Sequence, residues 1–593
     1  MPTLNWIGKE KVINHHRDVP FRVLEHQYGF KGNAKTGKSN ESETPTGSGN
    51  KIIYGDNLEA LKSLLPEYEG KIKCIYIDPP YNTGNENWVY NDNVNHPKIK
   101  KWLGEVVGKE GDDLTRHDKW LCMMYPRLQL LHQLLSDDGA IFISIDDNEQ
   151  ANLKLICDEI FGSSNAIGPI IHNKLNSKND TIDIQKNHEF ILVYKKKNKL
   201  SISETPSTLI NMVYEDKKVF KENERYYFIN DSITTRGEGG TLNARPNLGY
   251  TVYYNPETNE KIAKEDYDVE LAKTSNDLKK IYTTNKNLVS KGFKVIRPPK
   301  VRGQLGCWTW SKEKFNLEND DIVVTTGRGG ALRLKKRTFV NSEKVIEKNN
   351  TLYYRTQHKR NSRSILEFST NEGTKTLNNI LGKSNVFDNP KNINLLKYLI
   401  GLIPNKDCII LDSFAGSGTT AHAVLNLNKE DGGNRKFILI EMEDYANDIT
   451  AERVKRVVNG YGTGNKTVEG TGGSFDFYKL GKPLFDENDN LNEEVGLEKI
   501  QEYIWFSETR TPATFIQQYS EAEPYLLGKK EDTAYYFIYE KERLTTLDYD
   551  ALEHIKTKAQ QYVIYADNCL LPRVFMSKHN IVFKKIPRDI TRF

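Results

Sequence analysis

The chain reads as an α/β protein built on a doubly wound parallel sheet, with an inserted α+β domain and a smaller α+β domain at its end. Three observations predict this. Strand-like and helix-like runs alternate from Lys51 to Tyr194; the alternation stops between about Asn198 and Thr374; and it resumes at Lys391. Alternation of this kind joins parallel strands through helical crossovers. Two of the expected strands also end abruptly in short polar or glycine-rich turns, Asp78–Tyr81 and Asp412–Gly418. In open α/β sheets the chemistry sits beyond the carboxyl ends of the strands.

Composition sets wide bounds. With 593 residues, 37% of them hydrophobic, the chain is long enough for several domains. It has no apolar run long enough to span a bilayer. Its start, MPTLNWIGKEKV, lacks the basic-then-apolar pattern of a signal peptide. A cytoplasmic protein with no membrane partner is expected. The six cysteines are scattered with no CxxC pair, which fits reduced thiols and argues against a disulfide framework or a zinc site. Net charge is +4 against 84 Lys and Arg, so nucleic acid is allowed as a partner without being implied.

The expected organisation is an N-terminal arm over 1–30, a flexible loop over 31–50, a catalytic half over 51–197, an insertion over 198–375, a second catalytic half over 376–465 and a C-terminal domain over 466–593. In the arm, adjacent His15 and His16 have no second cluster of metal ligands and read as surface or packing residues. The loop contains Gly32-xxxx-Gly37-Lys38-Ser39, a letter-for-letter phosphate-loop pattern. That motif works only between a buried strand and a helix. Its flank HQYGF is a poor strand and NESETPTGSG cannot continue as a helix, so the match is read as accidental.

Lys51–Tyr54 is a short strand, and Asp56 or Asn57 caps a helix with Leu58, Leu61, Leu64 and Leu65 on one face. Ile75-Tyr76-Ile77 is the next buried strand, broken by Asp78-Pro79-Pro80-Tyr81. Two prolines end any ladder and stiffen the backbone. A carboxylate, two carbonyls whose residues carry no N–H, and an aromatic ring are thereby held at a strand tip. This grouping suits a planar, amino-bearing base. Asp78 and the Pro79 carbonyl accept the amine hydrogens, and Tyr81 stacks on the ring. The bland alternative is a proline-rich turn with a surface aspartate. The polar stretch Asn82–Lys119 carries Trp88, Tyr90 and Trp102, which suit either base stacking or core cover. A helix over Cys122–Leu135, a strand over Ala140–Ile145, a helix through Phe161 and a strand over Glu189–Tyr194 complete this half.

The insertion is rich in Lys, Arg, Asn, Thr and Tyr, with basic clusters at Lys335-Lys336-Arg337 and His358-Lys359-Arg360. Cations for phosphates and Arg or Asn for base edges suit DNA; a solvated insertion is the alternative. Lys391–Ile403 is then helical, Cys408–Leu411 a buried strand, Asp412–Gly418 a glycine turn, Thr419–Leu427 a helix and Phe437–Ile440 a strand ending in Glu441. A glycine turn between strand and helix lets backbone approach a ligand, and an acid at the next strand's end can hold ribose hydroxyls. The spacing is not GxGxxG, so a nicotinamide dinucleotide fits poorly. After GTGGS (Gly470–Ser474) the tail shows the strand-like runs YYFIY and QYVIY.

DPPY at Asp78–Tyr81 and DSFAGSGTT at Asp412–Thr420 together resemble the paired signatures of amino-methyltransferases that use S-adenosyl-L-methionine. The DPPY half comes first, with a long insertion between, which resembles the circularly permuted β-class DNA methyltransferases. LNWIGKEKVINHHRDVPF, IIYGDNLEALKSLLPEYEGKIKCIYIDPPYNTGNE and NHEFILVYKK are similar to the modification (Mod) subunits of type III restriction–modification systems. The resemblance covers the N-terminal arm and both catalytic halves. It is weak across Asn198–Thr374 and in the tail.

What the resemblance implies is a Rossmann-like methyltransferase sheet in which the strands ending at Leu411 and Ile77 are neighbours. Asp78, Pro79, Pro80 and Tyr81 are then catalytic. Phe414, Ala415, Gly416, Gly418 and Thr419 lie against the cofactor, Glu441 meets its ribose and Asp56 lies near its adenine. Asp412 either orders the loop or meets the methionine end, and Lys391 and Asp78 also border the cofactor. No metal is needed. The implied substrate is adenine in double-stranded DNA, with a homodimer and a restriction (Res) subunit as partners. Cytosine-N4 methylation is the first rival; the family usually writes SPPY there. Others are an orphan adenine methyltransferase, a DNA-recognition protein with vestigial catalytic halves, and an ATPase using Gly32–Ser39.

Overall fold

The computed structural model describes residues 3–33, 39–83, 116–175, 184–197, 209, 211–235, 237–348, 350–486, 488–511 and 523–591. The chain divides into two compact units. One comprises Met1–Asn211 with Asn361–Phe593, the other Met212–Arg360.

The first unit is organised on an 11-stranded sheet. Its strands in chain order are β1 (Arg22–Gly32), β2 (Ser39–Ser42), β3 (Lys51–Tyr54), β4 (Ile72–Ile77), β5 (Leu135–Ile145), β6 (Ala166–Asn173), β7 (His188–Lys195), β8 (Ile365–Glu367), β9 (Ile409–Asp412), β10 (Lys436–Glu441) and β11 (Gly473–Pro483). Across the sheet they run β8-β6-β7-β5-β4-β9-β10-β3-β11-β1-β2. The segment β5-β4-β9-β10-β3-β11 is parallel throughout. β7 and β1 run the other way, so the sheet is mixed and not the all-parallel sheet expected from the alternation.

Each parallel strand is covered on both faces, and alternate residues belong to different cores. Ile75 and Ile77 of β4 join the cluster built on Leu58, Leu61 and Leu64 of helix α1 (Asn57–Tyr68) and on Leu128 and Leu131 of α2 (Arg116–Leu134). Cys74 and Tyr76 face the opposite cluster. That cluster contains Leu395 and Leu399 of α3 (Ile393–Gly401), Val424 of α4 (Thr419–Asp431) and Val457 of α5 (Glu452–Asn459). Five of the six cysteines are buried and all six are free thiols.

Several boundaries differ from the expected ones. The arm over 1–30 contributes β1, antiparallel to β11. Its polar residues hid the strand because Glu25 and Gln27 are exposed while His26 and Tyr28 between them are half-buried, the alternation of an antiparallel strand with one solvated face. The loop over 31–50 contains β2, paired with β1. Gly32 closes β1 and Ser39 opens β2, so the phosphate-loop match joins two strands and no helix follows it. Residues 34–38 between them lie outside the described residues. The insertion expected to run to 375 ends as a compact unit at Arg360. Ile365–Glu367 adds to the main sheet beside β6, and a helix follows over Asn371–Leu381. The expected C-terminal domain likewise lends β11 to the main sheet. Beyond it, Leu526–Lys530, Thr533–Phe537, Gln561–Ala566 and Ile581–Lys585 make a separate four-stranded sheet.

The second unit holds small antiparallel sheets with short helices. Arg225–Ser232, Ile322–Thr326 and Leu332–Val340 form most of one sheet, and Thr251–Tyr254 is the middle strand of another. Its core is aromatic, with Tyr250, Tyr253, Trp308 and Phe315 buried. Lys335, Lys336 and Arg337 lie on Leu332–Val340, where the Arg337 guanidinium pairs with Glu222. The side chains of Lys359 and Arg360 lie outside the described set, as do Trp88, Tyr90 and Trp102. Among the described residues, no helix is long and apolar enough to cross a membrane.

Candidate active site

β4 and β9 are hydrogen-bonded neighbours, with Ile410 opposite Cys74 and Leu411 opposite Ile75. Both run in the same direction, so Asp78 and the turn after Asp412 emerge from one edge of the sheet. The two motifs, more than 300 residues apart in sequence, are brought together by that single pairing.

The Asp78 end is held by side chains. The Trp120 indole N–H donates to the Pro80 carbonyl at 2.7 Å. Asn82, buried with φ 57°, donates from Nδ2 to Glu149 Oε1 and to the Arg116 carbonyl. The Lys391 ammonium donates to the Tyr81 hydroxyl at 2.6 Å and lies 3.1 Å from both Asp78 Oδ1 and Glu189 Oε2. The Tyr81 hydroxyl donates to Glu189 at 3.2 Å. Behind Glu189 stand His172, with Nδ1 at 3.7 Å, and Lys174 at 3.5 Å. Burial pushes the Asp78 carboxyl above its ordinary range, and Lys391 pulls only part of the way back. Burial also opposes ionisation of Glu189, but Lys391, His172 and Lys174 outweigh it and hold that carboxyl well below the usual range. Burial disfavours the Lys391 cation, yet the two carboxylates raise its pKa above that of a free lysine.

The Asp412 end is held by backbone. Asp412 Oδ1 accepts the Phe414 N–H at 3.1 Å and Oδ2 accepts the Thr420 hydroxyl at 2.5 Å. Glu441 accepts the Gly416 N–H at 2.7 Å and the Glu443 N–H at 3.0 Å. Burial pushes Asp412 up to about 7 and Glu441 up to about 8. Gly416 and Gly418 have φ 52° and 77°, a region that disfavours side chains, and a Cβ at Gly418 would stand 3.1 Å from the Thr450 carbonyl. Arg453, wholly buried, donates to Ser417 Oγ and Thr419 Oγ1 at 2.8 and 2.7 Å and braces the turn from below.

Two clefts flank the Phe414–Gly416 ridge. One, of about 500 Å³, is bordered by Asn57, Pro80, Arg127, Ser413, Glu441 and Tyr445. The other, of about 340 Å³, is bordered by Asp78, Lys391, Asp412, Ala415, Thr419 and Thr420. Asp56 borders neither; its carboxylate caps α1, accepting the Leu58 and Glu59 N–H groups. The adjoining Asn57 is the residue on the wall, linked to the Ser413 carbonyl and to Arg127. Gly418 acts through loop shape. Sequence reasoning missed Glu189, which reads as the first residue of an apolar strand. A carboxylate heading a buried strand was the available signal. His172 lies on β6, a strand it did not anticipate. Asn57 and Arg127 carried no signal, since each looks like an ordinary helix residue. Of the surface and packing roles expected for His16, the structure shows packing: it is buried, and burial pushes its imidazole down to about 4. Among the described residues no group of three or more His, Cys, Asp or Glu side chains is arranged to hold a metal ion.

A family model described as DNA methylase matches residues 72–452, well over half of the chain and spanning both strand-end motifs. The chain belongs to the DNA methylase family. The Mod subunit of the type III restriction–modification enzyme EcoPI from Escherichia phage P1 is 32% identical over 482 residues. That alignment covers 79% of the methylase and 66% of the phage protein, just under two thirds of it. The type II methyltransferase M.KpnI from Klebsiella pneumoniae is 34% identical over 408 residues, covering 67% of the methylase and 82% of M.KpnI. Among solved structures, the cytosine-N4-specific PvuII DNA methyltransferase aligns over 71% of the methylase and 89% of its own chain, at 10% identity and a TM-score of 0.30.

The methyl donor of the family is S-adenosyl-L-methionine, and the residues present fit it. The cleft on the Glu441 side offers a carboxyl whose oxygens each keep a lone pair beyond the one bound to backbone. It also offers the buried Ser413 hydroxyl, which has no hydrogen-bond partner among the described residues. The cleft on the Asp78 side offers a cation, Lys391, and the start of helix α4.

Proposed function

We propose that this methylase is a circularly permuted, β-class, site-specific DNA adenine-N6 methyltransferase. In this reading it is the modification and recognition subunit of a type III restriction–modification system. The observation that carries the reading is the pairing of β4 with β9, which puts Asp78-Pro79-Pro80-Tyr81 and the Phe414 turn at one sheet edge.

The cofactor, when bound, supplies a methyl group on a sulfonium. Glu441 and Ser413 would hold its ribose side, Phe414 and Gly416 would line its middle, and the start of α4 would meet its methionine carboxylate. The target adenine must leave the duplex because its amine is inaccessible in the stack. Tyr81 stacks on it and offsets part of the unstacking cost. Asp78 and the Pro79 carbonyl accept the two amine hydrogens, which favours a pyramidal nitrogen with its lone pair free to attack. The Pro80 carbonyl accepts the Trp120 indole N–H, which holds the turn in place. The protein's contribution is orientation and electrostatics.

The unit Met212–Arg360 is the target-recognition domain in this reading, with its lysines and arginines on phosphates. The methylase acts in the cytoplasm as a homodimer on double-stranded DNA with a Res subunit beside it. An adenine methyltransferase that works without a Res subunit is the second reading; the similarity to M.KpnI, a type II methyltransferase aligned over the larger share of its own length, suits a chain outside a type III system. Single-molecule sequencing of DNA from a methylation-free host expressing this chain alone tests the proposal. N6-methyladenine in one short asymmetric motif, on one strand, is expected. A palindromic motif modified on both strands favours the second reading, and N4-methylcytosine overturns the adenine assignment.

A further inference from the structure

The Lys391 ammonium touches three groups at once: the Asp78 carboxylate, the Glu189 carboxylate and the Tyr81 hydroxyl, at 3.1, 3.1 and 2.6 Å. It also stands 4.8 Å from the centre of the Tyr81 ring. Lys391 and Glu189 come from remote parts of the chain, 202 residues apart. Both are nearly buried, with side-chain exposures of 12% and 9%. A cluster of two buried carboxylates and one cation is costly unless the geometry is maintained, so its place against the DPPY motif calls for a role.

We propose that Lys391 and Glu189 are positioning residues for methyl transfer. Glu189 anchors the ammonium, and the ammonium holds the Asp78 carboxylate and the Tyr81 ring in the attitude that receives the base amine. The inference rests on the adenine-methyltransferase reading and assigns it two residues outside both motifs. Lys391 stands 3.1 Å from Asp78 Oδ1, an oxygen with no hydrogen bond of its own among the described residues, so the ammonium holds the carboxylate by charge and leaves its accepting capacity for the amine. The Tyr81 hydroxyl is bound at both its lone-pair and proton sides, which fixes the tip of the ring before the base arrives.

The arrangement has a consequence in pH. Asp78 must be ionised to accept, and burial works against that. The charged and titratable groups around it are Lys391, Glu189, Tyr81, Tyr76 and Asp412, with His172 and Lys174 behind Glu189. Lys391 favours the ionised form and Glu189 opposes it. Removing the two therefore moves Asp78 in opposite directions.

The experiment is a pair of measurements on the full chain and on the Lys391→Met and Glu189→Gln variants. The first is the pH profile of single-turnover methylation. The second is the titration of Asp78 in the protein without DNA or cofactor, by NMR of aspartate labelled at the carboxyl carbon and assigned with Asp78→Asn. In Lys391→Met both the acid limb and the titration are expected to move up by about 1–3 pH units. In Glu189→Gln both are expected to move down. Lys391→Arg, which keeps the charge, is expected to stay near the wild-type limb. A fall in rate in both variants with no opposed shift would overturn the inference and leave a structural role. Opposed titration shifts in a protein that methylates no DNA would instead sink the functional reading and leave the electrostatic linkage standing.

Discussion

Two neighbouring strand ends carry an aspartate each, and they are built in opposite ways. Asp412 spends its oxygens on the Phe414 N–H and on Thr420, eight residues on. Asp78 has a lysine from the far half of the chain as its neighbour. A carboxylate satisfied by its own turn shapes backbone and stays fixed. A carboxylate held by the charge of a distant side chain keeps capacity for a ligand and titrates with its surroundings. In the proposed reading, aspartate at two neighbouring strand ends thus builds a cradle in one case and a reacting surface in the other.

The largest expected effect would break this contrast outright. Asp78→Ala should lower methyl transfer by about 10³-fold or more, the scale of losing an electrostatic group that acts in the transition state. Cofactor affinity measured by calorimetry should stay within about threefold. Near-normal turnover would move the chemistry away from Asp78. Next comes pH. Glu441 has a carboxyl raised to about 8 by burial in the folded protein, against an ordinary value near 4.5. Its folded pKa lies above its unfolded one, so its contribution to stability is full below about 4.5 and is lost as pH rises through about 8. Urea unfolding of the cofactor-free protein should therefore show Glu441→Gln flattening the loss of stability between pH 5 and 8, by at most about 1.4 kcal/mol per pH unit. An unchanged slope would mean that Glu441 is ionised in the fold.

A smaller effect sharpens the cradle side. Phe414→Ser removes the ring from the ridge between the clefts and should weaken cofactor binding about tenfold by calorimetry, the cost of about 1.4 kcal/mol of lost apolar contact. Tight binding in that variant would place the cofactor elsewhere. The smallest effect is none. Lys38→Ala, in the phosphate-loop match, should leave methylation rate and motif unchanged within about twofold, because Gly32 and Ser39 lie on paired strands. ATP binding lost in that variant would revive the nucleotide reading.

Particular elements show how far pattern carries. Ile75–Ile77 and Ile410–Leu411 were legible because fully covered strands are continuous apolar runs, and the turns after them were legible because proline and glycine restrict or free the backbone. β1 was not, because an antiparallel strand with one wet face carries too few apolar residues to stand out. Glu189 was not, because a residue's place in a strand says nothing about which distant cation faces it. Asp56 caps its own helix, as one of the two caps the sequence offered; a capping aspartate and a ligand-binding one look alike in one dimension.

By itself the sequence determined the alternating α/β halves, the interruption between them and the two strand-end motifs, because these depend on local backbone preference and on apolar periodicity. The family resemblance implied that β4 lies beside β9, and only the tertiary structure decided that β1 and β7 run against the rest and that Lys391 meets both Asp78 and Glu189. Those outcomes depend on which surfaces bury each other and on charges that acquire partners only when water is excluded, and such long-range terms leave no imprint on neighbouring residues.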